Sequence, residues 1–200
     1  MNKKTVITLS FLAIMILAFG FIIINNNNAE PIVITQSASL RELTLDELIE
    51  ESELIIIGEV KTSLPSRWKA PNGEAPKNVT ARQIGEQRLS IFTDALISVI
   101  QTLKGSSTGP VLRIRSFTGE IEHVSWINSS EPIYEKGQVY LLFLVKDDGP
   151  TQIVDPGDYI SVNAIDGVYK IIDGKAVSID DEWVLEDLIT YIQNALQNNQ

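Results

Sequence analysis

His123 is the only histidine in the chain and there is no cysteine, so any pairing of a nucleophile with an imidazole must pass through that residue. Around it stand Glu120, Glu122, Ser125, Glu131 and Glu135, residue types that build either a hard-cation site or a Ser-His-Glu grouping. No recognised spacing joins them, which leaves two readings: a metal-dependent or His-assisted hydrolase, or a solvated histidine among surface carboxylates. Asp147, Asp148, Asp155 and Asp158 offer the oxygen chemistry of a weak calcium site outside a cell. They lack the alternating ligands and terminal glutamate of a calcium loop, and a turn at Asp155-Pro156-Gly157-Asp158 explains them equally well. Phosphate-loop, dinucleotide and zinc-protease spacings do not occur in the sequence. The expectation is no catalytic residue, no metal site and no cofactor.

Residues suited to binding are more evident. Arg67, Trp68 and Lys69 form a basic aromatic tip, which is either a partner hot spot or an indole folded back onto the domain. Arg113 and Arg115 alternate with Leu112 and Ile114, which puts both cations on the wet face of one strand. These five residues are the candidate partner-binding set, and the expected partner is an extracytoplasmic protein or a small ligand. Nucleic acid is excluded by charge: the formal net charge is -10, and phosphate affinity requires clustered Lys and Arg.

The location of this chemistry follows from the uncharged, mostly apolar run Thr5 to Ile24, preceded by Lys3 and Lys4 and followed by Asn25 to Asn28. As a helix the run is about 30 Å long, the thickness of a bilayer's hydrocarbon core. Positive flanks stay on the cytoplasmic side, so the rest of the chain is expected outside, tethered to the cell membrane by a single pass. Ala18 and Gly20 resemble a processing site, yet Phe21 to Ile24 continue the apolar stretch past it. The segment is therefore either a retained signal anchor or a cleaved signal peptide that leaves a secreted product. Lys3 and Lys4 are the only charges in this leader, so the outer part carries about -12, which repels nucleic acid and anionic headgroups. Without cysteine there are no disulfides, and the outer part is held by its core alone.

The expected organisation is an anchor and asparagine spacer over 1–28, a linker over 29–43, one domain over 44–197 and a tail over 198–200. Thr44 and Glu47 form a capping box, with Leu43 and Leu48 spaced as a hydrophobic staple, for a helix ending near Ser52. Ser39 and Glu42 share the spacing and would start it a turn earlier. Ile55, Ile56 and Ile57 open a strand in which Gly58 marks a bend or bulge, and residues 66–88 read as one long loop. A strand from Ile91 closes at Leu103-Lys104-Gly105, and Val139 to Val145 reads as a strand buried on both faces. Asp166-Gly167 and Asp173-Gly174 are hairpin signals. Trp183, Leu185, Leu188, Ile189, Ile192 and Leu196 lie on a helical stripe behind Asp180, Asp181 and Glu182. Asn78-Val79-Thr80 and Asn128-Ser129-Ser130 match a glycosylation acceptor, which matters only in a pathway that glycosylates.

These elements give a mainly β (α+β) fold: a small OB-like curled sheet or barrel with a short N-terminal helix and a C-terminal amphipathic helix, preceded by a transmembrane or signal helix. The series Leu45-x-Glu47-Leu48, Leu54 to Val60, Val99-x3-Leu103-Lys104-Gly105 and Gly137-x2-Tyr140 to Leu144 resembles uncharacterised exported bacterial β-barrel proteins. Those are similar to the OB-like barrels of netrin-like and metalloprotease-inhibitor modules. The resemblance spans about Leu45 to Val177 and implies architecture only, because such inhibitors rely on an amino-terminal cysteine and disulfides. It implies ligand contact on one open sheet face and its loops. The leading expectation is a non-catalytic extracytoplasmic binding module; the alternatives are the His123 hydrolase and a passive envelope component.

Overall fold

The computed structural model describes residues 30–37, 40–70, 84, 89–147 and 159–198. The apolar leader, the asparagine spacer, Ser39, Asn78-Val79-Thr80, Asp148-Gly149 and the turn at 155–158 lie outside the described residues. Packing divides the chain into Met1–Ile32 and Val33–Gln200, and the fold below is that of the second unit. Among the described residues no helix is long and apolar enough to cross a membrane.

The fold is mainly β. In chain order it comprises β1 (Ile32–Gln36), α1 (Leu45–Glu51), β2 (Leu54–Ser63), β3 (Arg67–Trp68), β4 (Ile91–Lys104), β5 (Val111–Ser116), β6 (Gly119–Ile121) and β7 (Val124–Asn128). It continues with β8 (Val139–Lys146), β9 (Tyr159–Ser161), a 3-10 turn (Ala164–Gly167), β10 (Val168–Ile172), β11 (Lys175–Val177), β12 (Glu182–Val184) and α2 (Leu185–Asn198). Strands β8, β2, β4, β5 and β9 pair in that order, and β9 pairs back to β8, which closes a five-stranded barrel. Every pairing in the ring is antiparallel except β5 with β9. The second edge of β8 is divided: Tyr140 to Leu142 pair with β10, and Leu144 to Lys146 with β9. Strands β1, β7 and β6 form a separate three-stranded sheet.

Side-chain alternation on β2 and β8 divides the apolar residues between two cores. Leu54, Ile56, Tyr140, Leu142 and Leu144 point into the barrel beside Ala95, Ile97, Leu112 and Ile114. Ile55, Ile57, Leu141 and Phe143 point outward and are covered by Leu48 and Ile49 of α1 and by Leu188 and Ile192 of α2. A strand buried on both faces has no wet positions to fill with polar residues, which is why Val139 to Val145 reads as one apolar run.

Helix α1 follows its sequence signals. Thr44 accepts from Glu47 N, while the Glu47 carboxylate accepts from Thr44 N at 2.8 Å. Arg41 and these Thr44 bonds hold the Glu47 carboxyl at about 2. At the other end, Lys104 Nζ donates to Ile49 O at 2.6 Å and Glu50 O at 3.2 Å, a cation on the last carbonyls of the helix. Partial burial there lowers the Lys104 pKa. Helix α2 is tied to α1 by Tyr191, whose hydroxyl donates to Asp46 Oδ1 at 2.8 Å.

Three local expectations change. The stretch 29–43, expected as a linker, contains β1, because the β-branched Ile32 to Thr35 suit an extended strand. Asp166-Gly167 ends a 3-10 turn and makes no hairpin, whereas Asp173-Gly174 joins β10 to β11 with φ of 49° and 76°. Trp183 lies in β12, paired with Ala176, and α2 begins at Leu185. Ladder bonds to β11 claim residues 182–184 before the helix starts, and the Trp183 indole donates to Asp181 Oδ2 at 2.5 Å.

The register between β2 and β4 shifts at Gly58, where the strand bends as expected. A Cβ at Gly58 would lie 2.5 Å from Ile97 Cγ2 and 3.1 Å from Ser98 O. Gly58→Ala is expected to cost about 1–3 kcal/mol by overpacking, read as a lowered urea midpoint. An unchanged midpoint would show that the barrel wall has slack at this bend.

Candidate functional site: a cleft at the barrel end

A cavity of about 290 Å³ lies between one end of the barrel and the β6–β7 hairpin. Ser63 from the end of β2, Thr93 and Ala95 from β4 and Ser116 from the end of β5 line it on the barrel side. Thr118 to Glu120, Ser125 to Ile127 and Pro132 to Tyr134 complete the walls. The hydroxyl groups mostly serve the backbone. Thr118 Oγ1 donates to Trp126 O at 2.9 Å, Thr93 Oγ1 to Thr118 O at 2.8 Å, and Ser116 Oγ to Pro132 O at 2.6 Å. Ser63 Oγ donates to Tyr134 O at 3.3 Å. With these protons committed, the cleft presents hydroxyl oxygens and mainly apolar surface from Trp126, Ile127, Pro132 and Ile133.

Close approach is what draws the hairpin onto the barrel. A Cβ at Gly119 would fall 2.5 Å from Thr93 Oγ1 and 2.6 Å from Ser66 Oγ, so only glycine allows this contact without displacement. Ser66 Oγ shares a hydrogen bond with Thr93 Oγ1 at 2.8 Å and accepts from Glu120 N at 3.3 Å. Behind the far wall, Glu131 Oε2 accepts from Phe117 N at 3.0 Å and lies 3.3 Å from Ser116 Oγ, as the longer branch of that hydroxyl's bond to Pro132 O. Burial raises the Glu131 pKa against these bonds. Burial also pushes the Tyr134 phenol up, and its hydroxyl sits beside Ser161 with no completed hydrogen bond.

Next to the cleft, strand register builds a buried ion cluster. Asp94 and Arg115 are direct partners across β4 and β5 and are 1 % and 2 % exposed. Arg115 Nε donates to Asp94 Oδ1 at 2.9 Å, and its Nη1 donates to Asp147 Oδ2 at 2.8 Å. Arg67 Nη2 donates to Asp94 Oδ2 at 2.7 Å, and both guanidinium groups lie over the Phe92 ring. The cluster thus joins the start of the β2–β4 connection, two barrel strands and the residue after β8, and among the described residues two positive groups meet two negative ones in it.

The sequence-derived site residues are therefore divided. Arg67 and Arg115 meet at Asp94, so Arg115 is not on a wet face as its alternation implied; Phe92, Asp94 and Asp147 enclose it. Arg113, the neighbouring cation, is half-buried. Trp68 is 2 % exposed and folds back onto the domain through β3, which pairs with β4, while Lys69 Nζ lies 4.9 Å from the Phe117 ring centre. Residues 66–88, expected as one loop, thus contain a strand and a buried Ile84. His123 occupies the β6–β7 turn, Glu131 is bound to Ser116 and Phe117, and Glu135 pairs with Lys170. Among the described residues no three such groups gather as metal ligands. Asp147 is taken by Arg115, and its expected calcium companions lie outside the described residues.

The cleft-lining residues Trp126, Ile127 and Ile133 did not stand out in the sequence. Their only signal is apolar side chains on short segments among turn residues, and Ile133 remains 76 % exposed. A second cavity, of about 420 Å³, has the opposite chemistry: Glu42, Asp166, Asp180 and Asp181 border it beside Thr44 and Tyr169. Burial raises the Asp166 pKa and the charges of Asp180 and Glu42 add to the rise, against the Asn163 hydrogen bond. No protein-family model matches the chain, and no curated protein matches it.

Asp94→Ala is expected to destabilise the domain by about 3–5 kcal/mol in urea unfolding, because it removes the buried carboxylate that the Arg67 and Arg115 guanidinium groups share. Replacing both partners, with Asp94→Leu and Arg115→Met, should recover part of that loss, since Arg67 and Asp147 each lose a partner. A single variant as stable as the parent would mean that the other contacts of Arg115, that with Asp147 among them, compensate the loss.

Proposed function

We propose that the chain is a non-catalytic extracytoplasmic binding module on an OB-like barrel, presented by its apolar leader at the membrane or released after cleavage. The OB-like reading is supported by the ring β2-β4-β5-β9-β8 with its single parallel pairing. In such barrels ligands meet the second and third strands and the adjoining loops. The observation that carries the binding reading is the cleft itself, a concave and largely apolar site beside β4 and β5, walled by a glycine-enabled hairpin. Against the hydrolase alternative stands the scatter of the groups around His123, since two of the glutamates are engaged elsewhere. The likeness to netrin-like modules extends to architecture and assigns no inhibitory residue.

The site is tested by titrating the neutral apolar fragments indole and isovaleramide while following the Trp126 indole resonance. Binding should shift that resonance, and Ser125→Phe, which fills the cleft, should abolish the shift while the domain stays folded. Shifts that survive Ser125→Phe would place the binding elsewhere. Placement outside the membrane is checked by adding protease to intact cells: the domain should be digested, and full-length chain freely dissolved in the cell interior would overturn it.

A further inference from the structure

The cleft has a charge and a rim that narrow what it accepts. Among the described residues its lining contains no lysine or arginine, and Glu120 is the one carboxylate. Glu120 and the nearby Glu122 are exposed and form no ion pair with any described residue. A phosphate, a carboxylate or an anionic lipid headgroup would meet these carboxylates at the lip and no cation among the described lining residues. At the mouth, Ile127 and Ile133 are 47 % and 76 % exposed, so apolar surface continues outside the cavity. A molecule small enough to fit wholly within about 290 Å³ would leave that rim in water.

We infer that the cleft takes one apolar side chain of an extended protein segment, with lysine or arginine beside it in that segment to face Glu120 and Glu122. This rests on the binding reading above and deepens it by naming the partner's chemistry. The side chain enters among Trp126, Pro132 and the hydroxyl-held walls, and the segment's backbone and neighbours cover Ile127 and Ile133. Complementary charge then selects basic flanks and discriminates against acidic ones.

The test uses the full chain in a mild detergent and three fluorescein-labelled peptides with central sequences Lys-Leu-Lys, Lys-Ser-Lys and Glu-Leu-Glu. Lys-Leu-Lys should bind at least about tenfold more tightly than either of the others. Ile133→Ser, an exposed change that leaves the core intact, should weaken it severalfold, and Glu120→Lys should shift the preference towards Glu-Leu-Glu. Equal binding of all three peptides, or an unchanged preference in Glu120→Lys, would overturn the inference. If indole or isovaleramide shifts the Trp126 resonance but no peptide binds, the inference falls while the cleft remains a small-ligand site. If neither fragments nor peptides bind, both readings fall.

Discussion

Two strands, β2 and β8, have no side that can be given to water, and the rest of the domain is arranged around that fact. Their inward residues fill the barrel, and their outward residues need a second cover. The ring of β4, β5 and β9 closes the first core, while α1, α2 and the β10–β12 extension close the second. Removing either cover would expose a row of isoleucine, leucine and phenylalanine, so barrel and helices form one cooperative unit. The division of the second edge of β8 between β9 and β10 follows from the same constraint, since one strand must join a closed ring and an open sheet.

A barrel closed in this way has two ends, and one of them carries the cleft. There the β6–β7 hairpin approaches β4 through Gly119, and hydroxyl groups of Thr93, Ser116 and Thr118 bind carbonyls of neighbouring segments. Walls held by several such bonds form a preorganised concavity. The Asp94–Arg115 pair beside it needs further charged partners, because a buried charge that is incompletely paired is costly. Arg67 and Asp147 supply that pairing and in doing so fix the bases of two long connections next to the cleft.

Legibility in the sequence varied with the range of the interaction. The capping box at Thr44 and Glu47, the bend at Gly58, the Asp173-Gly174 turn and the two-sided strand at 139–145 were all readable, since each depends on neighbours within a few positions. Short strands such as β3, β6 and β9 were not, because two or three residues carry too little periodicity to be distinguished from turns. Trp183 was drawn into the helical stripe because its spacing suits both an edge strand and the helix it packs against, with its ring 5.8 Å from that of Tyr191. The cleft itself was the least legible feature, being assembled from segments scattered over residues 63 to 134.

By itself, then, the sequence determined the apolar run at 5–24, the acidic and cysteine-free remainder, the mainly β character and the ends of α1, all properties of composition or of near neighbours. Only the tertiary structure decided that Arg115 is enclosed and faces Asp94, that Trp68 lies inside, and that β9 closes the ring parallel to β5. Register and closure cause these outcomes. Alternation tells which residues share a face of a strand, but whether that face meets water or another part of the chain depends on what the distant sequence brings against it.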